Sequence, residues 1–244
     1  MIRAGLTDIH CHIIPGVDDG ARSMKDAQEM VRIAYEDGTR RIIGTPHYGN
    51  RRAKASRGTI LLKYMELKAW VQENYPDMEV YLGQELFYRH GIEQHVRDTK
   101  AMTIAGSRYV LVEFDPEESY GRIRQGLEAV QMEGYWPILA HVERYRHLMD
   151  KSEHVQELIH MGVFIQVNAR SVTGENGWKS KSCAKRLLKK EWVHFIASDG
   201  HDTKYRQPSI QKAMMRIARR YGSAYARRVA ITNPSKIIEN IYID

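Results

Sequence analysis

Seven apolar runs of strand length punctuate this chain: Leu6–His10, Ile42–Gly44, Val80–Leu82, Tyr109–Val112, Pro137–Ala140, Val163–Val167 and Val193–Ala197. Between most of them lie segments whose apolar residues recur three or four apart, among them Lys25–Asp37, Thr59–Asn74, Glu118–Glu133, Ser152–His160 and Ser180–Lys190. Strands alternating with helices predict a parallel sheet, because parallel neighbours need a long crossover that a helix supplies. Eight strands is the commoner number for a closed barrel. With seven good runs the expectation is an α/β fold of the TIM-like kind, a distorted seven-stranded parallel (β/α) barrel, with Met102–Ile104 as a short extra extended piece. Beyond Asp199 the pattern turns helical, with a striped helix over Gln207–Tyr221 and a last helix opened by Asn233 as N-cap and Pro234 as first residue. At 244 residues and 43% hydrophobic content the chain can bury one sizeable core, and no linker, low-complexity tract or internal repeat divides it, so a single domain over residues 1–244 is expected.

A second regularity lies on the first. His10 and His12 follow the first run, His47 the second, Glu85 the third, Glu113 the fourth, His141 the fifth, and Asp199 and His201 the seventh. An extended Thr7–His12 puts Asp8, His10 and His12 on one face. Alone, His47 reads equally as a turn cap after Pro46, Glu113 as a surface ion-pair partner and His141 as a hydrogen-bonded core histidine. Together they share one register, and in a parallel barrel all these strand ends lie on the face where active sites are built. Imidazole and carboxylate without thiolate suit Zn, Mn or Fe. The ligands are too many for one ion, and a carboxylate such as Glu85 can bridge two metals ~3.5–4 Å apart.

Other chemistries are less well served. Only Cys11 and Cys183 are present, which excludes a disulfide framework and favours a reducing compartment. A cysteine phosphatase loop needs an arginine six residues after the thiol, where this chain has Val17 and Lys189. The net charge of +7 is carried by scattered runs such as Arg51-Arg52, Lys189-Lys190, Arg219-Arg220 and Arg227-Arg228. These fit a solvated basic surface or an anionic partner, and without interleaved aromatics nucleic acid is not expected. The start, Met1 to Leu6, lacks a signal-peptide core and no run is long enough to cross a bilayer, so a cytoplasmic location is expected.

Asp8-Ile9-His10-Cys11-His12 with Pro15-Gly16-Val17-Asp18-Asp19-Gly20, Thr45-Pro46-His47, Gly83-Gln84-Glu85, His141-Val142-Glu143-Arg144 and Ser198-Asp199-Gly200-His201 resemble the polymerase-and-histidinol-phosphatase superfamily. Within it they most resemble the metal-dependent protein-tyrosine phosphatases of bacterial capsule and exopolysaccharide loci, over nearly the whole chain. The resemblance implies a trinuclear centre, usually of manganese. His10, His12 and Asp199 would hold one ion with Glu85 bridging to a second, Glu113 and His141 would complete the second, and Asp19, His47 and His201 the third. Asp19 is chosen over Asp18 by its place before Gly20. Arg144 and Arg206 match the arginines that hold the substrate phosphate, a role suited to a planar, permanently charged fork. The chain departs from the family at Val142 and Tyr48, where a proline and a histidine are usual, and neither replaces a ligand.

The expected activity is therefore hydrolysis of phosphotyrosine in proteins by metal-activated water, without a phosphoryl-enzyme intermediate. By resemblance the substrate is a membrane-associated bacterial tyrosine autokinase that controls polysaccharide export, and the cofactor two to three Mn²⁺ ions, with Fe or Zn as substitutes. Histidinol-phosphate phosphatase is the rival with the same chemistry. A low-turnover metal-binding regulatory module is the rival of another class, and it fits poorly with a complete ligand set. Nucleic-acid phosphodiester hydrolysis, a third possibility, draws on the basic surface and on the superfamily's polymerase-associated members.

Overall fold

After two of the seven runs the strand stops and resumes after a gap of two residues, and the breaks shape the molecule. In the computed structural model, which describes residues 5–244, nine strands are found: β1 Leu6–Cys11, β2 Thr39–Gly44, β3 His47–Tyr48, β4 Glu79–Leu82, β5 Glu85–Phe87, β6 Tyr109–Glu113, β7 Trp136–Leu139, β8 Phe164–Asn168 and β9 Phe195–Ala197. The break between β2 and β3 falls at Thr45-Pro46, where proline has no N–H for the ladder. The break between β4 and β5 falls at Gly83-Gln84. There the backbone runs so close to residue 104 that a Cβ on Gly83 would sit 2.9 Å from the Ile104 Cα, and the Gln84 side chain accepts from the Met102 N–H at 2.9 Å.

Every strand pairing is parallel, in a three-stranded sheet of order β1-β2-β4 and a six-stranded sheet of order β3-β5-β6-β7-β8-β9. The single closed seven-stranded barrel is thus corrected to a curled six-stranded half-barrel beside a three-stranded sheet, because the two breaks interrupt the ladder. The sheets meet where β1 runs past β9. The Asp199 N–H donates to the His10 carbonyl and the His12 N–H to the Gly200 carbonyl, both at 2.8 Å, about an isolated Cys11–Gly200 bridge. This junction carries the site.

Helices cover the strands and start where the sequence supplies caps. Ser23, Ser56 and Ser119 each present a hydroxyl to an N–H three residues on, opening Met24–Glu36, Arg57–Asn74 and Tyr120–Met132. Ser152–His160 forms as expected, and the helix placed at Ser180 starts at Trp178 and runs to Lys189. Three expectations need correction. Met102–Ile104 is not extended pairing; Ile104–Gly106 is a 3₁₀ turn with Ala105 at φ 53°. The helix placed at Gln207 begins at Gln211, because the Asp37 carboxylate accepts from the Ile210 and Gln211 N–H groups at 2.6 and 2.8 Å and fixes the start from outside. Asn233 is not an N-cap, since its φ and ψ of −64° and −45° are helical. Ser223–Arg227, the π-turn Arg228–Thr232 and Asn233–Ile238 follow without a break, and the wide turn precedes a proline that has no N–H to give.

Inside the sheets, Tyr109 and Leu111 of β6, Ile138 of β7, Phe164 of β8 and Phe195 and Ala197 of β9 join one apolar cluster with Ile9 and Ile43. Period-two alternation carries the same face of β6 on to Glu113 and of β8 to Gln166 and Asn168, so polar side chains sit above an apolar floor. The chain's end closes the floor, with the Tyr109 hydroxyl donating to the Ile241 carbonyl and accepting from the Ile243 N–H. Among the described residues no helix is long and apolar enough to cross a membrane, and residues 1–4, part of the opening searched for a signal peptide, lie outside them.

Candidate metal centre

All nine ligand-type residues converge. His10 Nε2 and His12 Nε2 lie 3.3 Å apart, each within about 3.6 Å of both Glu85 and Asp199 carboxylate oxygens. Glu85 is central, with its Oε2 2.8 Å from His47 Nδ1 and its Oε1 2.9 Å from His141 Nε2. Glu113 lies 3.7 Å from both His47 and His141. At the mouth, Asp19 Oδ1 stands 3.3 Å from His47 Nε2 and 3.5 Å from His201 Nε2. Three overlapping groups have donors spaced to hold a cation: His10, His12 and Glu85; His47, Glu85 and Glu113; His12, Asp19, His47 and His201. This grouping differs in detail from that implied by resemblance, since His12 and His47 are each shared between two groups.

Two of these residues are held in a costly backbone conformation. His141 has φ 34° and Asp199 φ 54°, the left-handed region that few side chains occupy. Each stands two residues past the end of its strand, His141 after β7 and Asp199 after β9. Gly20 marks another forced approach, because a Cβ there would fall 2.1 Å from the His12 carbonyl oxygen.

The sequence reading missed the residues that orient the donors. Asp18, buried, receives the His12 Nδ1–H at 2.7 Å and the Gly20 and His47 backbone N–H groups, which turns His12 Nε2 toward the cup. Gln166 Oε1 accepts from the His141 N–H at 2.8 Å and lies 3.2 Å from His10 Nδ1. Its amide donates to Asn168, which donates at 2.9 Å to Asp199 Oδ2. Asp18 had entered only as the alternative to Asp19 as a ligand, and Gln166 and Asn168 formed no part of the expected pattern, yet two buried polar residues spaced by two on an apolar strand were a usable signal. Asp8 does not share the cup with His10 and His12. Its carboxylate accepts from the Ser198 N–H at 3.0 Å and from the Ser198 hydroxyl, fastening the segment before Asp199.

Arg206 Nη2 is 2.7 Å and Arg144 Nη1 3.6 Å from Asp199 Oδ2, and the pair lines a cavity of about 430 Å³. The Asp202 carboxylate folds the 201–206 loop back on itself by accepting from the Lys204 and Tyr205 N–H groups. Arg52, absent from the expected set, reaches the same mouth 3.5 Å from Glu113 and 3.8 Å from Asp19. Glu143 is buried beneath, where it accepts from the Asn168 N–H and the Ser171 hydroxyl. Val142 lies fully in the core and the Tyr48 hydroxyl pairs with His95 Nδ1 at 2.8 Å, so both departures from the motif point away from the donors.

Electrostatics match a cation-binding cup. Burial and the charge of Arg144 push His141 down to about 4, which keeps its imidazole neutral at pH 7. Burial and the neighbouring Glu85 push Glu113 upward, the mark of a carboxylate cluster short of positive charge. His201 donates its Nδ1–H to the Asp199 carbonyl, and its buried Nε2 has no hydrogen-bond partner. A buried lone pair among carboxylates without a proton to accept fits a metal ion. The thiols stay out of this chemistry: Cys11 Sγ faces the Gly200 carbonyl at 3.6 Å, and burial pushes Cys183 up to about 12.

The family model for capsular polysaccharide synthesis, CpsB/CapC, matches residues 6–239. The chain belongs to that family. It is 32% identical over 238 residues to the tyrosine-protein phosphatase CpsB of Streptococcus pneumoniae, with 96% of this chain and 98% of that protein covered. The tyrosine-protein phosphatase YwqE of Bacillus subtilis is 32% identical over 219 residues, covering 89% and 86%. The fold matches a solved structure from the work describing YwqE and CpsB as metal-dependent tyrosine phosphatases, at a TM-score of 0.91 and 29% identity over 98% and 96% of the two chains. The histidinol phosphate phosphatase of Lactococcus lactis shares the fold at a TM-score of 0.57 and 16% identity, covering 88% of this chain and 94% of that one. The family that the motifs pointed to is the family found.

Proposed function

We propose that the protein hydrolyses phosphotyrosine in proteins as a metal-dependent phosphomonoesterase. Its substrate is then a membrane-associated tyrosine autokinase governing capsular or exopolysaccharide biosynthesis, its place the cytoplasm and its working unit one domain over residues 1–244. The observation that carries the reading is a nine-donor cup, His10, His12, Asp19, His47, Glu85, Glu113, His141, Asp199 and His201, lying directly beside the paired guanidinium groups of Arg144 and Arg206. Two to three ions suit so many donors, with Mn²⁺ the metal we assign and Fe or Zn the substitutes that the same donors accept. Bound there, the ions supply Lewis acidity and water activation.

The protein's own groups do the rest. Arg144 and Arg206 present charged N–H donors at one edge of the cup, suited to two oxygens of a phosphoryl group and to charge that gathers there as the ester bond breaks. Asp199 couples the two functions, since Oδ1 faces the histidines and Oδ2 the arginines. Asp18, Gln166 and Asn168 hold the donors in orientation through hydrogen bonds fixed before substrate arrives. A phosphotyrosine peptide assayed beside histidinol phosphate, with the metal-reconstituted protein, tests the reading. Preference for the peptide is expected, whereas turnover of histidinol phosphate alone would make the protein a small-molecule phosphatase and turnover of neither a binding module.

A further inference from the structure

The cavity holding Arg144 and Arg206 does not end at the phosphate position. It shares Arg144 and Met149 with a second cavity of about 580 Å³, bounded also by Glu117, Arg146, Asp150, Trp178, Lys179 and Arg186. We propose that this second cavity is a subsite that reads an acidic side chain flanking the phosphotyrosine, an inference that rests on the phosphatase reading above. Four cations face it, Arg144, Arg146, Lys179 and Arg186, against the two carboxylates of Glu117 and Asp150.

The cations are not used up by their neighbours. Arg146 lies 3.3 Å from Glu117, but both side chains are about two-thirds exposed, so that pair holds neither in place. Lys179 and Arg186 have no carboxylate partner among the described residues, and Arg186 donates to the Met149 carbonyl, which ties its guanidinium to the turn between the two cavities. Trp178 stands 75% exposed at the start of the helix on the far wall. An indole left in water beside cations that no buried carboxylate holds is a rigid apolar face for a passing peptide. A peptide anchored by its phosphate on Arg144 and Arg206 advances about 3.3 Å per extended residue, so its neighbouring residues fall across Arg144 into the second cavity. The chemistry that meets them there is a carboxylate's complement.

The test compares kcat/KM for phosphotyrosine peptides carrying glutamate or glutamine at each of the three positions on either side, with free phosphotyrosine as internal reference. One position should favour glutamate by roughly five- to thirtyfold, as charge-assisted bonds at a partly buried site do, and the preference should shrink with added salt. Lys179→Glu and Arg146→Glu should each weaken or reverse it, and Trp178→Ala should lower kcat/KM for peptides relative to free phosphotyrosine. If free phosphotyrosine is hydrolysed but no position discriminates, or the preference survives both charge reversals, the subsite is overturned and the phosphatase reading stands. If no phosphotyrosine substrate is hydrolysed at all, both fall together.

Discussion

Asp199 sits between two kinds of chemistry, and single substitutions should separate them. Arg144→Ala or Arg206→Ala removes charge-assisted bonds to the phosphoryl group, so kcat/KM on a phosphotyrosine peptide should fall roughly ten- to a thousandfold, ~1.4–4 kcal/mol, with metal content and melting temperature nearly unchanged. His141→Ala and Asp199→Ala should lose metal and activity together, because each removes a donor from the cup. Kinetics and elemental analysis on the same four variants decide it; fully active arginine variants or fully loaded ligand variants would dissolve the division of roles. The thiols supply a control of opposite sign. Cys11 and Cys183 are buried with thiols raised above their ordinary pKa, so the double change to serine should retain most activity, and loss of turnover with intact metal content would argue for a thiol mechanism.

Among elements, the helix Gln211–Tyr221 depends on a residue far away in sequence. Asp37 ends the first helix and caps the later one, accepting from Ser209 Oγ, Ile210 N–H and Gln211 N–H. Asp37→Ala should cost about 1–2 kcal/mol of stability, while Asp37→Asn, which keeps an acceptor, should cost less. Urea unfolding measures both, and a neutral Asp37→Ala would show that the helix start is held by packing alone. The same helix runs shorter than its apolar stripe suggests, since Gln207 is drawn into the Arg206 loop, its amide donating to the Thr203 carbonyl at 2.8 Å. Propensity yields there to a hydrogen-bond network around Arg206, the arginine proposed above to hold the phosphate.

For the molecule as a whole, the metal cup and the fold are one system. β1 of the three-stranded sheet and the segment after β9 of the six-stranded sheet both carry candidate donors, so ions held there would tie the two sheets together at their junction. Chelation should therefore abolish phosphatase activity and also lower the melting temperature, by the linkage that gives about 2.7 kcal/mol at a hundredfold excess over Kd. Adding Mn²⁺ back should restore both, and Cys-directed reagents should abolish neither. A chelated protein with full activity and unchanged melting would refute metal dependence at this site.

The strand runs and their ligand-type ends were legible in the sequence because burial and alternation are local: Tyr109, Leu111 and Glu113 share a face by period two whatever lies beside them. His10, His12, His47, Glu85, Glu113, His141, Asp199 and His201 could be placed at one end of the sheet for the same reason. Asp19 came from resemblance, and its side chain does stand beside His47 and His201, with Asp18 turned inward to His12. Closure of the sheet was not legible, because Thr45-Pro46 and Gly83-Gln84 interrupt the ladder, the first at a proline without an N–H and the second at a close approach to Ile104 that only tertiary contact defines. Gln166, Asn168, Arg52 and the Asp37 cap escaped for a related reason: a hydrogen bond to a residue far along the chain leaves no periodic trace in the sequence. The sequence by itself determined which residues have cation-binding chemistry and that eight of them stand at one end of the strands. Tertiary structure decided which donors are neighbours and how each is aimed, because those distances are set by sheet pairing and by buried side chains that must satisfy their hydrogen bonds.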